Sequence, residues 1–264
     1  MTAPALAQPP TALDQQAYDN YLRVRDEVTR MKATAAALHT AAPSSYCNDE
    51  LAAIDYLSEA SPLIIRKLRH HAVHITGLRS YDYRRFGDRQ GYLGRPLEAV
   101  AALAGGPDLL VPEAEALGGF GYRIDGRLYN VDTIKFFEVL VGMQRGGVLD
   151  AFRGSARRMV WEIGGGWGGF AYQFRTLFPN TTYVIVDFPE LFLYSATYLA
   201  TMFPQARLKY WREGERTFDG WQQADFVFLP NDRVDALRGL PAGGAQPDLL
   251  VNLVSFQEMT TAQV

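Results

Sequence analysis

Met159 to Phe170 reads MVWEIGGGWGGF, three mostly apolar residues, an acid, and then five glycines in six positions. Such a run fits a buried strand ending in a turn where backbone passes close to another group. The helix-like segment Ala171 to Phe178 follows at once. The order is therefore strand, glycine turn, helix, the opening of a nucleotide-binding α/β unit. Gly164, Gly166 and Gly169 satisfy G-x-G-x-x-G, the dinucleotide fingerprint, while Glu162, Gly164, Gly166 and Gly168 satisfy the E-x-G-x-G-x-G pattern of S-adenosylmethionine (SAM) enzymes. Glu162 separates the two. A carboxylate at the end of the strand would repel the anionic pyrophosphate of NAD, whereas SAM presents an ammonium and a sulfonium. Tight packing alone would not call for five glycines, so a ligand is expected over Gly164, Gly165, Gly166 and Gly168.

Further residues could do chemistry around that turn. Asp187 closes the next apolar run, TTYVIVD, where an acid can accept hydrogen bonds from both ribose hydroxyls. The segment from Asp187 to Glu190 also fits a helix-capping arrangement with Pro189 in the first turn. Asn231 and Asp232 end the third run, ADFVFLPND, near the expected adenine edge, and a plain turn explains them equally well. Ser255 and Glu258 form the S-x-x-E capping pattern after the fourth run, although Glu258 could instead face a substrate. Three of the four histidines are His70, His71 and His74. On a continuous helix His70 and His74 share a face, a geometry that can hold a metal or orient a base. The simpler reading is a solvated basic helix end stopped by Gly77.

The elements that must position these groups follow in chain order. Residues 1–14, rich in Ala and Pro, read as a mobile tail. From Asp14 to about His39, Tyr21, Val24, Val28, Met31, Ala35 and Leu38 form a short heptad seam. It could pair two copies of the chain, but a seam this short is weak alone and is expected to pack on the protein's own body. Asn48 is expected to cap a helix through Ser58, and Ser61-Pro62 to open another over Leu63–Val73. Tyr81 to Phe86 (YDYRRF) reads as a loop, and Pro96 to Ala104 as a helix closed by Gly105-Gly106. Asp125-Gly126 between β-prone runs predicts a hairpin near 119–131, with Asp132 capping a helix over Thr133–Gln144. After the glycine turn, the three apolar runs read as strands buried on both faces of a parallel sheet, and Leu191–Phe203 as a helix.

Composition narrows the function classes. With 264 residues and 48% hydrophobic content, the chain can bury a sizeable core. A net charge of −3 offers no general attraction to phosphate backbones, so no nucleic-acid partner is expected. The single Cys47 excludes an intrachain disulfide and a cysteine-cluster zinc site. No run is long and apolar enough to span a membrane, and a cytoplasmic location is expected.

The run EIGGGWGGFAYQFRTLFPNTTYVIVDFPELFLYSATYL, with PDLLVNLVSFQEMT downstream, resembles the bacterial putative sugar O-methyltransferases, SAM-dependent enzymes with a Rossmann-like domain. The likeness covers roughly Val160 to the C-terminus. It implies that Glu162, Gly164, Gly166, Gly168 and Asp187 line a SAM pocket and that the acceptor is a sugar-like small molecule. It also implies a helical substrate-cap region over 15–150 and a SAM domain over 151–264. A sheet of this kind usually has seven strands and four are legible, so a C-terminally truncated sheet, with its fourth strand left as an apolar edge, is expected.

The expectation is thus a SAM-dependent O-methyltransferase with His70, His74 and Glu258 as candidate bases and no bound metal. An NAD(P)-dependent oxidoreductase is the alternative, although no Tyr-x-x-x-Lys pair is evident. A non-catalytic relative working through protein association is a third.

Overall fold

The computed structural model of the protein describes residues 9–35, 45–85, 90–105, 108–212, 220–237 and 246–258. The first helix, α1 (Ala12–Ala35), starts inside the segment expected to be a tail. Its seam residues Tyr21, Val24, Val28 and Met31 are buried in the chain's own core. The Tyr21 hydroxyl donates to the Leu57 carbonyl at 2.8 Å and accepts from the Ala60 amide at 2.9 Å. Leu38 lies outside the described residues.

Asn48 sits inside α2 (Ser45–Ile54) rather than capping it. The helix expected over 63–73 is three short ones, α3 (Pro62–Ile65), α4 (Leu68–His71) and α5 (Val73–Thr76). The breaks fall at Lys67 (φ −120°, ψ 26°) and Ala72 (φ −75°, ψ 9°), both away from helical backbone. The residues of YDYRRF up to Arg85 form a helix, α6 (Ser80–Arg85), not a loop. The next helix, α7 (Gln90–Ala104), begins before Pro96 and ends at Gly105, whose φ is +74°.

Strands β1 (Tyr122–Ile124) and β2 (Arg127–Tyr129) form the expected hairpin. Its central residues Asp125 and Gly126 both have positive φ, +48° and +78°, as a type I′ turn demands. The following helix, α8 (Val131–Arg145), is capped by Asn130 rather than by Asp132. Asn130 Oδ1 accepts from the Thr133 amide at 3.0 Å, and Thr133 Oγ1 accepts from the Asn130 amide at 2.8 Å. Asp132 is held elsewhere, as described below.

The remainder is α/β. Strands β3 (Arg158–Ile163), β4 (Thr181–Asp187), β5 (Leu208–Tyr210), β6 (Phe226–Pro230) and β7 (Leu249–Val251) form a parallel sheet in the order β5-β6-β4-β3-β7. Helix α9 (Gly169–Leu177) joins β3 to β4, and α10 (Phe192–Met202) follows β4. This arrangement is compatible with a Rossmann-like fold. The first and fourth runs lie side by side as expected, which places the reversal of strand order beside the glycine turn. Strand β5 was not legible in the sequence. Every residue of β4 and β6 is buried, consistent with cover on both faces.

One sheet face carries Val160, Tyr183, Ile185, Phe226 and Phe228 into the core that also receives α1, α8, α9 and α10. The other carries Met159, Val184, Val186, Val227 and Leu229 against Trp211, Trp221 and Ala224. Among the described residues β7 forms one edge, with Leu250 56% exposed. No helix among the described residues is long and apolar enough to cross a membrane.

Candidate functional site

The glycine turn joins the carboxyl end of β3 to α9. Gly164, Gly166 and Gly168 have φ of +76°, +55° and +85°, a region in which a Cβ is strained. The other two are small for lack of space. A Cβ on Gly165 would meet Ile185 and approach the Glu162 carboxyl, and one on Gly169 would meet Trp167 and Phe136. The left-handed three are also crowded: Ser255 lies against Gly164, Ile75 against Gly166 and Ser195 against Gly168. Each glycine therefore has a reason within the chain itself. The expectation that packing alone would not require five is corrected by these contacts.

The acids beside the turn carry more information. Glu162 is 2% exposed and does not face open solvent above the glycines; its Oε2 accepts from the Tyr183 hydroxyl at 3.0 Å. Burial pushes its carboxyl up to about 8; the Tyr183 hydrogen bond opposes this only partly, Asp187 adds to it, and Lys135 has the smallest influence. Glu162 is thus a buried carboxyl whose protonated form is favoured by its surroundings, placed directly beneath the turn. Asp187, 5% exposed, accepts from the Gly166 amide on Oδ2 and from the Phe188 amide on Oδ1, both at 2.8 Å. It ties the end of β4 to the turn. The short 3-10 helix Pro189–Leu191 is preceded by Phe188 at its cap position, so Asp187 is not the cap.

A second polar group braces the turn from the N-terminal region. Arg69, with its side chain 1% exposed, donates to Glu113 Oε1 at 2.8 Å and Asp132 Oδ2 at 2.7 Å. Its guanidinium lies 3.8 Å from the centre of the Trp167 ring and 5.0 Å from that of Phe120. Glu113 also accepts from Asn130 Nδ2 at 3.0 Å. The breaks at Lys67 and Ala72 flank the short helix that carries Arg69 to both acids.

That break separates the candidate histidines. His70 packs edge-on against Phe120, and its Nδ1 lies 3.3 Å from Ser80 Oγ. His74 lies 3.7 Å from Glu50 and is exposed. They do not share a face, and no group of three or more metal-binding side chains occurs among the described residues. His71, which sequence reasoning did not single out, meets Tyr56 at 2.7 Å, and its carbonyl accepts from the Tyr194 hydroxyl at 2.7 Å. Both partners are distant in sequence, so no local signal marked the group.

Asn231, half-buried, opens the 3-10 helix Asn231–Leu237 at the same carboxyl end of the sheet. Ser255 begins the 3-10 turn Ser255–Glu258. Its hydroxyl donates to the Ile163 carbonyl at 3.0 Å, and Asn252 Oδ1 accepts the Phe256 amide at 3.4 Å. Asn252 Nδ2 also donates to Ile163, at 3.0 Å, closing the crevice between β3 and β7. The Glu258 side chain lies outside the described residues. A recess of about 200 Å³ opens between α1, the 3-10 turn Asp55–Glu59 and the start of α10, lined by Arg25, Lys32, Asp55, Ser58, Glu190 and Leu193.

No protein-family model, curated protein or solved structure matches the chain.

Proposed function

We propose that the protein is a SAM-dependent O-methyltransferase acting on a sugar or sugar-bearing small molecule. The observation that carries this reading is the pair of acids at the glycine turn, Glu162 beneath Gly165 and Asp187 on the Gly166 amide. Asp187 and the buried carboxyl of Glu162, which a nearby cation would help to ionise, suit a cationic ligand better than a pyrophosphate. The residues that would hold SAM are the backbone of Gly164 to Gly168, with Asp187 toward the ribose and Asn231 toward the adenine edge. Glu162 acts through the turn, as a carboxyl able to ionise when a cation arrives above it. Bound there, SAM would supply an activated methyl group. The chain's own residues orient the acceptor hydroxyl, exclude water and accept its proton. The sugar class of the acceptor rests on the label of the resembled family alone.

Calorimetric titration with SAM and with NADH tests this reading. A cation favours the ionised form of Glu162, so SAM binding should release a proton below about pH 8 and tighten as pH rises from 6 to 8. Binding of NADH without binding of SAM would overturn it.

A further inference from the structure

The amino end of the parallel sheet gathers more positive charge than it neutralises. Asp225, just before β6, receives terminal nitrogens of Arg157 and Arg175 on Oδ1, at 2.9 and 2.6 Å, and Arg207 Nε on Oδ2, at 3.5 Å. Three guanidiniums on one carboxylate leave a surplus of two positive charges, in a chain whose net charge is −3. Asp248, at the same end of the sheet, is already paired with Arg158 at 2.8 Å. Burial pulls the Arg175 guanidinium below its ordinary value; Asp225 opposes this, and Arg157 and Arg207 add to it. Its Nε is buried with no hydrogen-bond partner among the described residues.

The donors left over are held in place. The Arg207 amide donates to Asp225 Oδ2 at 2.8 Å, and the Arg207 carbonyl accepts from the Asp225 amide at 2.8 Å. The Arg207 side chain is 62% exposed, and its two terminal nitrogens have no partner among the described residues. Arg157 is anchored through Nε and Nη2 to Thr182, Thr181, Ala224 and Asp225, and its Nη1 has no partner among the described residues. Donors fixed in this way lose little freedom when an anion docks.

We propose that this cluster is a second ligand site, for a phosphate group carried either as the free ion or on a phosphorylated small molecule. A phosphate ester carries about −1.5 to −2 charge at pH 7, which matches the surplus, whereas a monoanion neutralises only half of it. Its oxygens accept from Arg207 and Arg157, and Arg175 adds charge from the buried side. The site lies at the start of β4, about 20 Å along that seven-residue strand from Asp187 and the glycine turn. It is therefore independent of the methyl-transfer reading.

Calorimetry on the full chain, at constant ionic strength and without phosphate or sulfate in the buffer, tests the site. Inorganic phosphate and glucose 1-phosphate are the probes, and acetate is the monoanion control. Phosphate should bind and raise the thermal midpoint, with acetate at least about tenfold weaker. Arg207→Ala, at an exposed side chain, should fold normally and weaken phosphate binding about tenfold, and Arg207→Lys should weaken it less. Arg153→Ala removes the same charge from an exposed arginine at the same end that donates to Gln144, and should leave the affinity unchanged. Tighter binding of the sugar phosphate would identify a phosphorylated molecule as the source, and equal or tighter binding of inorganic phosphate the free ion. Absence of binding by both, an unchanged affinity in Arg207→Ala, or equal losses in Arg207→Ala and Arg153→Ala would overturn the site. SAM titrated into Arg207→Ala should bind as in wild type, so the failure of either reading is seen separately.

Discussion

The two ends of the parallel sheet treat a buried acid in opposite ways. At the amino end, Asp225 receives Arg157 at 2.9 Å, Arg175 at 2.6 Å and Arg207 at 3.5 Å, together with the Arg207 amide at 2.8 Å. Burial works to raise its carboxyl, but the Arg207 amide, Arg157 and Arg175 outweigh it and hold the group below its usual value. At the carboxyl end, Glu162 has a phenol for a partner and is pushed up to about 8. The contrast separates charge used as a staple from charge held in reserve. Arg157 ties the starts of β4 and β6 by also donating to Thr182 Oγ1 at 2.9 Å and to the Ala224 carbonyl, work that needs an ionised acid beside it. Glu162 is left with a charge it does not express, and a cation above Gly165 would bring that charge out.

The largest expected effect is at the staple. Asp225→Ala would leave Arg157 and Arg175 facing each other without their acid and should lower stability by about 3 kcal/mol at pH 7. Urea denaturation measures this, and a loss below about 1 kcal/mol would mean the arginines re-pair and the amino end is no staple. The pH dependence of the two acids carries opposite signs. Asp225, with its folded value lowered, contributes stability above the unfolded carboxylate range, and that contribution is lost as pH falls through the folded value. Glu162, with its folded value raised, contributes most below the unfolded value, and that contribution is lost as pH rises toward about 8.

Between those limits the Glu162 term removes up to about 1.4 kcal/mol per pH unit. Glu162→Gln should therefore flatten the decline in unfolding free energy between pH 5 and 8 relative to wild type. Parallel declines in the two proteins would dissolve the contrast between the ends. The smallest effect is expected at the turn between them. Gly166→Ala must adopt φ +55° against Ile75 and should cost about 1–2 kcal/mol. Thermal unfolding reads this, and a neutral variant would show that Ile75 does not press on the turn.

Parts of this architecture were legible because they depend on neighbours in sequence. Asp125-Gly126 specifies its own turn, and the runs TTYVIVD and FVFLP are apolar enough to be buried whatever surrounds them. Strand β5 was not, since Leu208, Lys209 and Tyr210 become a strand only by pairing with Phe226, Val227 and Phe228. The capping of α8 illustrates a local ambiguity settled from a distance. Asn130 and Asp132 are both capping residue types, and the demand of Arg69 for a carboxylate assigns Asp132 to the ion pair. The histidine segment failed for a similar reason, because a periodic pattern does not register the partners that Arg69 finds at Glu113 and Asp132 or the backbone breaks at Lys67 and Ala72.

What the amino-acid sequence determined alone is the strand, glycine turn and helix at Glu162 to Leu177, the order of apolar runs, and hence a parallel α/β sheet. These follow from burial periodicity and from backbone angles open to glycine, both properties of short stretches. Only the tertiary structure decided that Glu162 is buried with its carboxyl pushed up, that each glycine is met by a side chain from elsewhere, and that His70, His71 and His74 meet Ser80, Tyr56 and Glu50 respectively. Desolvation, close contact and hydrogen bonding each depend on what lies within a few ångströms, and for these residues that company comes from distant parts of the chain.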